Sequence, residues 1–482
     1  MMGSEMTGFE RKVEFMSYLW TVPPTFRRRR TRIGLVLFAL GASCLSLAAQ
    51  SATGGVLVRL SEGDLAGFEA RHNATGSQVG SNHGLYLVQP TDGRSVGAFK
   101  TEISGDKVVS GTPEANAGLS FGTAPVLDQS TVSVLNQSTV SVLNSAATDF
   151  YGSTVLQGFL AQPLVAQINL NKVRSIALGG GVVVADIDNG VDPQHPALQG
   201  ALTTGYNFIS NNADWSCYAN QSTVSVLNQS TVSVLNQSTV SVLNQSTASV
   251  LNGSLVSSTD ASFQALLTQY PELGHGTAVA SLIHLVAPGA KIMPLKAFGP
   301  NGTGALADVV AAIYFAVDNG ANVINLSFDT STKSTEMQTA IQYAQRAGVV
   351  VAASAGNDGL DTVVYPAAFQ GVLNTAAVDG KGSKASFSNF GQTIKVAAPG
   401  VGLIAAYPAN HWAAVSGTSF AAPLVAGEAA LLFQYYWNNH VIGQKILTSA
   451  ERTAEQQKTE QEVDNQLGHG LVDLYDALTH AR

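Results

Sequence analysis

Charge is what this sequence has least of. Lys and Arg total 25 and Asp and Glu 33 among 482 residues, so charged side chains make up 12%, about half the ~25% usual in soluble domains. The net charge of −8 argues against nucleic-acid binding by bulk electrostatics. Only two cysteines occur, Cys44 and Cys217, too few for a disulfide framework. Low charge does not mean disorder here, because hydrophobic residues reach 45% and a disordered chain needs low hydrophobicity. Gly (47 residues), Ser, Thr and Asn fill the space left by charge. By length alone about three domains fit.

The apolar stretch Ile33 to Ala49 has 17 residues, just short of the ~20 of a comfortable membrane span. Arg27, Arg28, Arg29, Arg30 and Arg32 stand before it, and Ser46-Leu47-Ala48 near its end is a small-x-small cleavage pattern. A basic head, an apolar middle and a small-residue exit describe an export signal over residues 1–49. Membrane anchoring through residues 33–49 is the alternative. The protein is expected to be secreted, or held in the periplasm or cell envelope. Without this segment 18 basic and 30 acidic side chains remain, so the exported part is distinctly acidic.

An octapeptide, Gln-Ser-Thr-Val-Ser-Val-Leu-Asn, occurs at 129–136, 137–144, 221–228, 229–236 and 237–244, with a variant carrying Ala248 at 245–252. An even period keeps each side chain on one face of an extended strand. Val132 and Val134 would then share a face with Val140 and Val142 in a paired β insert. An inert, duplicated surface loop is the simpler expectation.

Residues 55–120 read as a small α+β unit: strand-like Val56–Leu60, a helical composition over 64–72, and strand-like 84–88. From about Val182 strands alternate with helices, the pattern of a parallel sheet. Apolar runs at 182–187, 291–295, 321–327 and 349–353 are strand-like, while 305–319 and 335–347 are helix-like and closed by Gly320 and Gly348.

Three motifs in this half carry chemistry. In Val182-Val183-Val184-Ala185-Asp186-Ile187-Asp188-Asn189-Gly190 a buried strand delivers a carboxylate to a sheet edge, although an Asx turn alone would use the same residues. In Gly274-His275-Gly276-Thr277 flanking glycines let backbone and ligand approach the imidazole. In Ser416-Gly417-Thr418-Ser419-Phe420-Ala421-Ala422-Pro423 a serine opens a helix of small residues, as a plain N-cap also would.

Aspartate, histidine and serine in that chain order resemble the subtilisin-like serine proteases. The resemblance runs from roughly Gln162 to the C-terminus. It includes Ala287-Pro288-Gly289-Ala290, Asn319 to Ser327, Ala353-Ser354-Ala355-Gly356-Asn357 and Gly468-His469-Gly470-Leu471-Val472-Asp473. It implies an α/β fold of subtilisin type: three α/β/α layers, a mainly parallel sheet, and a small α+β propeptide-like domain in front. The organisation expected is a signal or anchor at 1–49, the propeptide-like unit at 50–120, and a repeat-bearing linker at 121–160. A catalytic domain follows at 161–482, with the insertion 221–252.

Carried over by residue, the resemblance implies that Asp188, His275 and Ser419 form a triad. Asn357 would supply the oxyanion donor beside the Ser419 backbone N–H. Ser327, Phe328 and Gly356 would bind an extended polypeptide substrate as an added strand. The protein would be a serine endopeptidase made as a precursor and blocked by its own propeptide. It is expected to act as a monomer with no nucleic-acid partner. Calcium is common in the family, but no carboxylate cluster of suitable spacing marks a site, and no metal ligand or other cofactor is assigned. The alternative is an inactive member of the fold whose repeats serve binding or adhesion.

Three departures stand out. Asn189 occupies a position where Thr or Ser is usual, and Asp329 one where glycine is usual. Asp329 could favour basic substrate side chains or simply be a solvated loop charge. Asp188 and His275 lie 87 residues apart, with four octads in the excess. Loop-closure cost grows only with the logarithm of length, so the insertion need not disturb the core.

Overall fold

The computed structural model describes residues 54–61, 63–81, 83–121, 145–218, 248–251, 270, 272–457 and 466–480. The export segment and all octads but Ala248–Leu251 lie outside them. Among the described residues no helix is long and apolar enough to cross a membrane.

Strands β1 (Val56–Leu60), β2 (Ala74–Gln78), β3 (Leu85–Pro90) and β4 (Val109–Ala115) form an antiparallel sheet in the order β2-β3-β1-β4. Alternation decides what each face does. Val56, Val58 and Leu60 point with Tyr86 and Val88 toward Phe68, Phe99 and Ile103, on helices Leu65–His72 and Val96–Ile103. Leu57 and Leu85 point the other way, into a second core that contains Val310, Ile313 and Tyr314. The small unit therefore has one face for itself and one for the main domain. Strand β5 (Gly118–Ser120) follows at once.

Residues 145–160, expected as linker, are built into the main core. They form the hairpin β6 (Ala147–Phe150) and β7 (Ser153–Leu156) and a short helix Gln157–Leu160. Phe150, Val155, Leu156 and Phe159 are all buried there.

The main sheet has seven strands in the order β16-β15-β14-β13-β8-β11-β9, paired in parallel throughout. They are β8 (Val183–Asp188), β9 (Tyr206–Asn207), β11 (Lys291–Lys296), β13 (Val323–Leu326), β14 (Val350–Ser354), β15 (Leu373–Val378) and β16 (Val396–Pro399). The near-continuous apolar runs follow from burial on both faces. Val184, Val323 and Ala352 face one core, with helices His275–Val286 and Thr418–Tyr436. Ile187, Ile324 and Val351 face the other, with helices Leu306–Asp318 and Thr335–Arg346. This is the three-layer α/β/α arrangement.

Two smaller pairings border the site. Strand β12 (Thr303–Ala305) pairs antiparallel with β5. Strand β10 (Ala248–Leu251), the end of the last octad, pairs antiparallel with β18 (His411–Val415), which also pairs with β17 (Leu403–Tyr407).

Candidate active site

Ligands in open α/β sheets bind beyond the carboxyl ends of the strands, and the motif residues gather at that edge. Asp188 ends β8, Ser327 follows β13 and Asn357 follows β14, while His275 and Ser419 open their helices. His275 Nδ1 lies 2.8 Å from Asp188 Oδ2 and 3.0 Å from Oδ1. A carboxylate only accepts, so Nδ1 carries the proton and Nε2 is left as a base. Both side chains are buried. Burial alone would lower the His275 pKa, but the Asp188 charge and hydrogen bond, with Glu272, outweigh it and hold the imidazole above its ordinary value.

Asn189 ties the acid to the base. Its backbone N–H donates to Asp188 Oδ1 at 2.7 Å, and its side-chain Oδ1 accepts the Gly276 N–H at 3.1 Å. Its Nδ2 donates to the Glu272 carbonyl. An asparagine here spans contacts that a shorter hydroxyl would have to divide. Gly276 is required, since a Cβ there would stand 2.4 Å from the Gly190 carbonyl and 3.0 Å from Asp188 Oδ1. The fully buried Lys296, opposite Asp188 on β11, donates to the Asn189 carbonyl. Burial pulls this ammonium down to about 8 against the opposing pull of Cys217, Asp188 and Asp214.

The Ser419 hydroxyl donates to the Ser327 carbonyl at 3.2 Å, and Ser327 Oγ donates to the Ser419 carbonyl at 2.8 Å. Asn325 Nδ2 donates to Ser327 Oγ at 2.9 Å and to Asp186 Oδ1 at 3.2 Å. Burial, then the charge of Asp188, push Asp186 well above the usual carboxylate range, against the Asn325 hydrogen bond. No hydrogen bond joins Ser419 to His275 among the described residues. The His275 ring does lie close by, 5.2 Å between centroids from Phe420, the residue after Ser419.

Asn357 has an orientation that the backbone dictates. The Thr418 N–H and Oγ1 both lie 2.9 Å from its Oδ1, so an acceptor must face them and Nδ2 turns to the other side. Thr418 Oγ1 in turn accepts the Gly356 N–H at 3.1 Å.

Strand β5 fills the groove beside these groups. Ser120 stands opposite Thr303 on one side and Asp329 on the other, so the segment is a strand inserted between two edges. The Phe121 N–H donates to the Gly302 carbonyl at 3.1 Å. The Phe121 ring stacks on His275, 4.1 Å between centroids and 17° between planes. Phe298 touches both Phe121 and the buried Phe328. Sequence reasoning singled out Ser327, Phe328 and Gly356 but not Phe121, Thr418, Asn325, Asp186 or Lys296. Of these, Thr418, Asp186 and Asn325 lie within the motifs quoted above, while Phe121 and Lys296 are identified by partners distant in the chain.

Among the described residues no group of three or more His, Cys, Asp or Glu side chains converges to hold a metal ion.

The sequence profile of the subtilase family matches residues 179–470. A thermophilic serine proteinase from Bacillus sp. strain AK1 is 33% identical over 300 residues, 62% of each chain. A thermostable alkaline protease from Halalkalibacterium halodurans is 39% identical over 188 residues, 37% of this chain and 52% of that one. The chain thus spans between half and two thirds of the length of these relatives. The crystal structure of fervidolysin from Fervidobacterium pennivorans, a keratinolytic enzyme related to subtilisin, superposes with a TM-score of 0.63 at 23% identity. That match covers 89% of this chain and 61% of the other, and is a likeness of fold. With the family profile aligned over more than half of its length, the chain belongs to the subtilase family.

Proposed function

We propose that this chain is an exported serine endopeptidase, made as a precursor whose small N-terminal unit blocks its own cleft. The observation that carries the reading is the Asp188–His275 pair with a polypeptide strand, Gly118–Phe121, laid across it. A groove that accepts an extended strand by backbone pairing on two edges is suited to peptides and reads backbone before side chains.

In the reaction Ser419 turns its hydroxyl from Ser327 to His275. Nε2 removes the proton as Oγ attacks the peptide carbonyl, because a neutral hydroxyl is a weak nucleophile without an adjacent base. Asp188 fixes the tautomer and stabilises the imidazolium that forms. The oxyanion of the tetrahedral intermediate meets Asn357 Nδ2 and the Ser419 N–H, which has no intrahelical partner so near a helix start. His275 then returns its proton to the leaving amine, and water repeats the sequence to release the acid.

Labelling with a fluorophosphonate probe tests the reading. The full chain is expected to react weakly until the N-terminal unit is cut off and removed, then covalently and fully, with no reaction in Ser419→Ala. Absence of labelling in the processed chain would favour an inactive member of the fold. Export rests on residues 27–49 and is tested by recovering the protein, cleaved near Ala48, outside the producing cell.

A further inference from the structure

Two segments flank the point of attack. One is Ser327–Asp329, whose first carbonyl lies 3.2 Å from Ser419 Oγ. The other is Gly356–Asp358, with Asn357 at its centre. Strand β5 runs antiparallel to the first, with Ser120 opposite Asp329. Two residues further along such a strand, the position opposite Ser327 brings its carbonyl to Ser419. The side chain there has to enter the gap between the two segments.

The wall of that gap is polar. Asp329 is partly buried and makes no side-chain hydrogen bond or ion pair among the described residues. A Cβ at Gly356 would stand 3.3 Å from Asp329 Oδ2 and 2.4 Å from Asn389 Nδ2, and Gly356 has φ +91°. Only glycine is at ease at that φ, and a Cβ there would collide with the Asn389 amide. Among the described residues Asn389 Nδ2 is a fully buried donor with no partner, while its Oδ1 accepts the Asp358 and Leu360 amides at 3.0 and 3.1 Å. An apolar occupant would strand both groups without hydrogen bonds. A second carboxylate, Asp358, stands exposed at the rim. Burial, then the Asp358 charge, push Asp329 up to about 7, as expected of a carboxyl that lacks a cation.

Resting on the peptidase reading, we propose that Asp329 is a specificity-determining residue. With Asp358 it selects polypeptides whose residue on the acyl side of the cleaved bond is Lys or Arg. The cationic head meets Asp329 at the depth of the gap while its methylene stem lies over Gly356. Asp358 adds attraction from the rim. The charged head also strengthens the case for an ionised Asp329, since an opposite charge within reach favours the charged form.

The test is a set of peptide p-nitroanilides identical except for a final Lys, Arg, Leu or Phe, turned over by the full chain after self-processing and release of its N-terminal unit. The ratio of kcat/KM for Lys over Leu is independent of the fraction of active enzyme. It is expected to exceed about 10 in the parent and to fall about 10-fold in Asp329→Asn, with a smaller fall in Asp358→Asn. Asp329→Gly, the smallest side chain, guards against a folding fault peculiar to Asn. A Lys-to-Leu ratio that is the same in parent, Asp329→Asn and Asp329→Gly overturns the inference and leaves the peptidase reading standing. No turnover of any substrate by a chain that has lost its N-terminal unit overturns both.

Discussion

Replacing Asn357 by Ala is expected to lower kcat about 10²–10³-fold with KM little changed, a range set in subtilisin, a relative of this chain. Its Oδ1 is already committed to Thr418, so the side chain is held with Nδ2 turned outward before substrate arrives. Steady-state kinetics on any cleaved peptide checks this, and a raised KM with kcat unchanged would mean ground-state binding instead. A second residue matters for stability alone. Glu428, inside helix Thr418–Tyr436, is fully buried, and among the described residues both its carboxylate oxygens are unpartnered. Burial, then the Asp473 charge, push its pKa well above the usual 4.5. Between the unfolded value and that raised one the native state holds the extra proton, so stability falls as pH rises through this window. Glu428→Met, apolar and similar in size, is expected to gain ~1–3 kcal/mol near neutral pH. The gain should shrink as pH falls toward 4.5, where the unfolded carboxyl is also protonated. Melting temperatures of parent and variant at pH 4.5 and 7.5 decide it; a gain independent of pH would rule out ionisation as the cause.

Among the elements, those buried on both faces were the most legible. Strands β8, β11, β13 and β14 each match an apolar run, and the two helices on one face end where Gly320 and Gly348 were expected to close them. The Asp188–His275 pair was legible for a related reason: glycine is needed wherever backbones come this close, as the Gly276 contacts illustrate. Strand β5 was not legible. Gly118-Leu119-Ser120 has no periodicity of its own, and its partners, Thr303–Ala305 and Asp329, lie about 180 to 210 residues away. The hairpin 147–156 was hidden likewise, because its apolar residues Phe150, Val155 and Leu156 gain meaning only against the distant core. Yet β5 has the clearest consequence. Phe121 at its end covers the His275 ring, and an aromatic stack of this kind is worth ~0.5–1.5 kcal/mol beyond its buried area. Phe121→Ala is therefore expected to raise the initial fluorophosphonate labelling rate of the uncut chain roughly 2- to 12-fold. An unchanged rate would mean that the segment does not shield the nucleophile.

For the whole molecule the question is what keeps the small unit on the main domain once the chain between them is cut. Two kinds of contact compete for the answer. The polar set begins with Arg59, whose guanidinium donates to Glu336 at 2.6 Å and the Tyr314 hydroxyl at 2.9 Å. Glu114 accepts the Ser334 hydroxyl at 3.1 Å and the Glu336 N–H at 3.0 Å. It thereby places a negative charge at the start of helix Thr335–Arg346, where the helix dipole favours one. The His83 ring stacks on Tyr314 at 3.9 Å. Hydrogen bonds to charged groups are worth ~1.5–3 kcal/mol each, and the Arg59–Glu336 pair is only 23% and 6% exposed, so solvent screening removes little of that. The apolar set is Leu57 and Leu85, both fully buried, at about 1.5–3 kcal/mol each. The two sets are comparable, but they fail differently. Arg59→Ala leaves Glu336 able to draw water in as a replacement partner, whereas Leu85→Asp forces an unpaired charge into an apolar interface, which is far more costly. After self-processing, the N-terminal fragment is expected to co-elute with the main domain on gel filtration in the parent and to dissociate partly in Arg59→Ala. In Leu85→Asp it should separate completely. Complete separation in Arg59→Ala with retention in Leu85→Asp would assign the hold to the polar contacts instead.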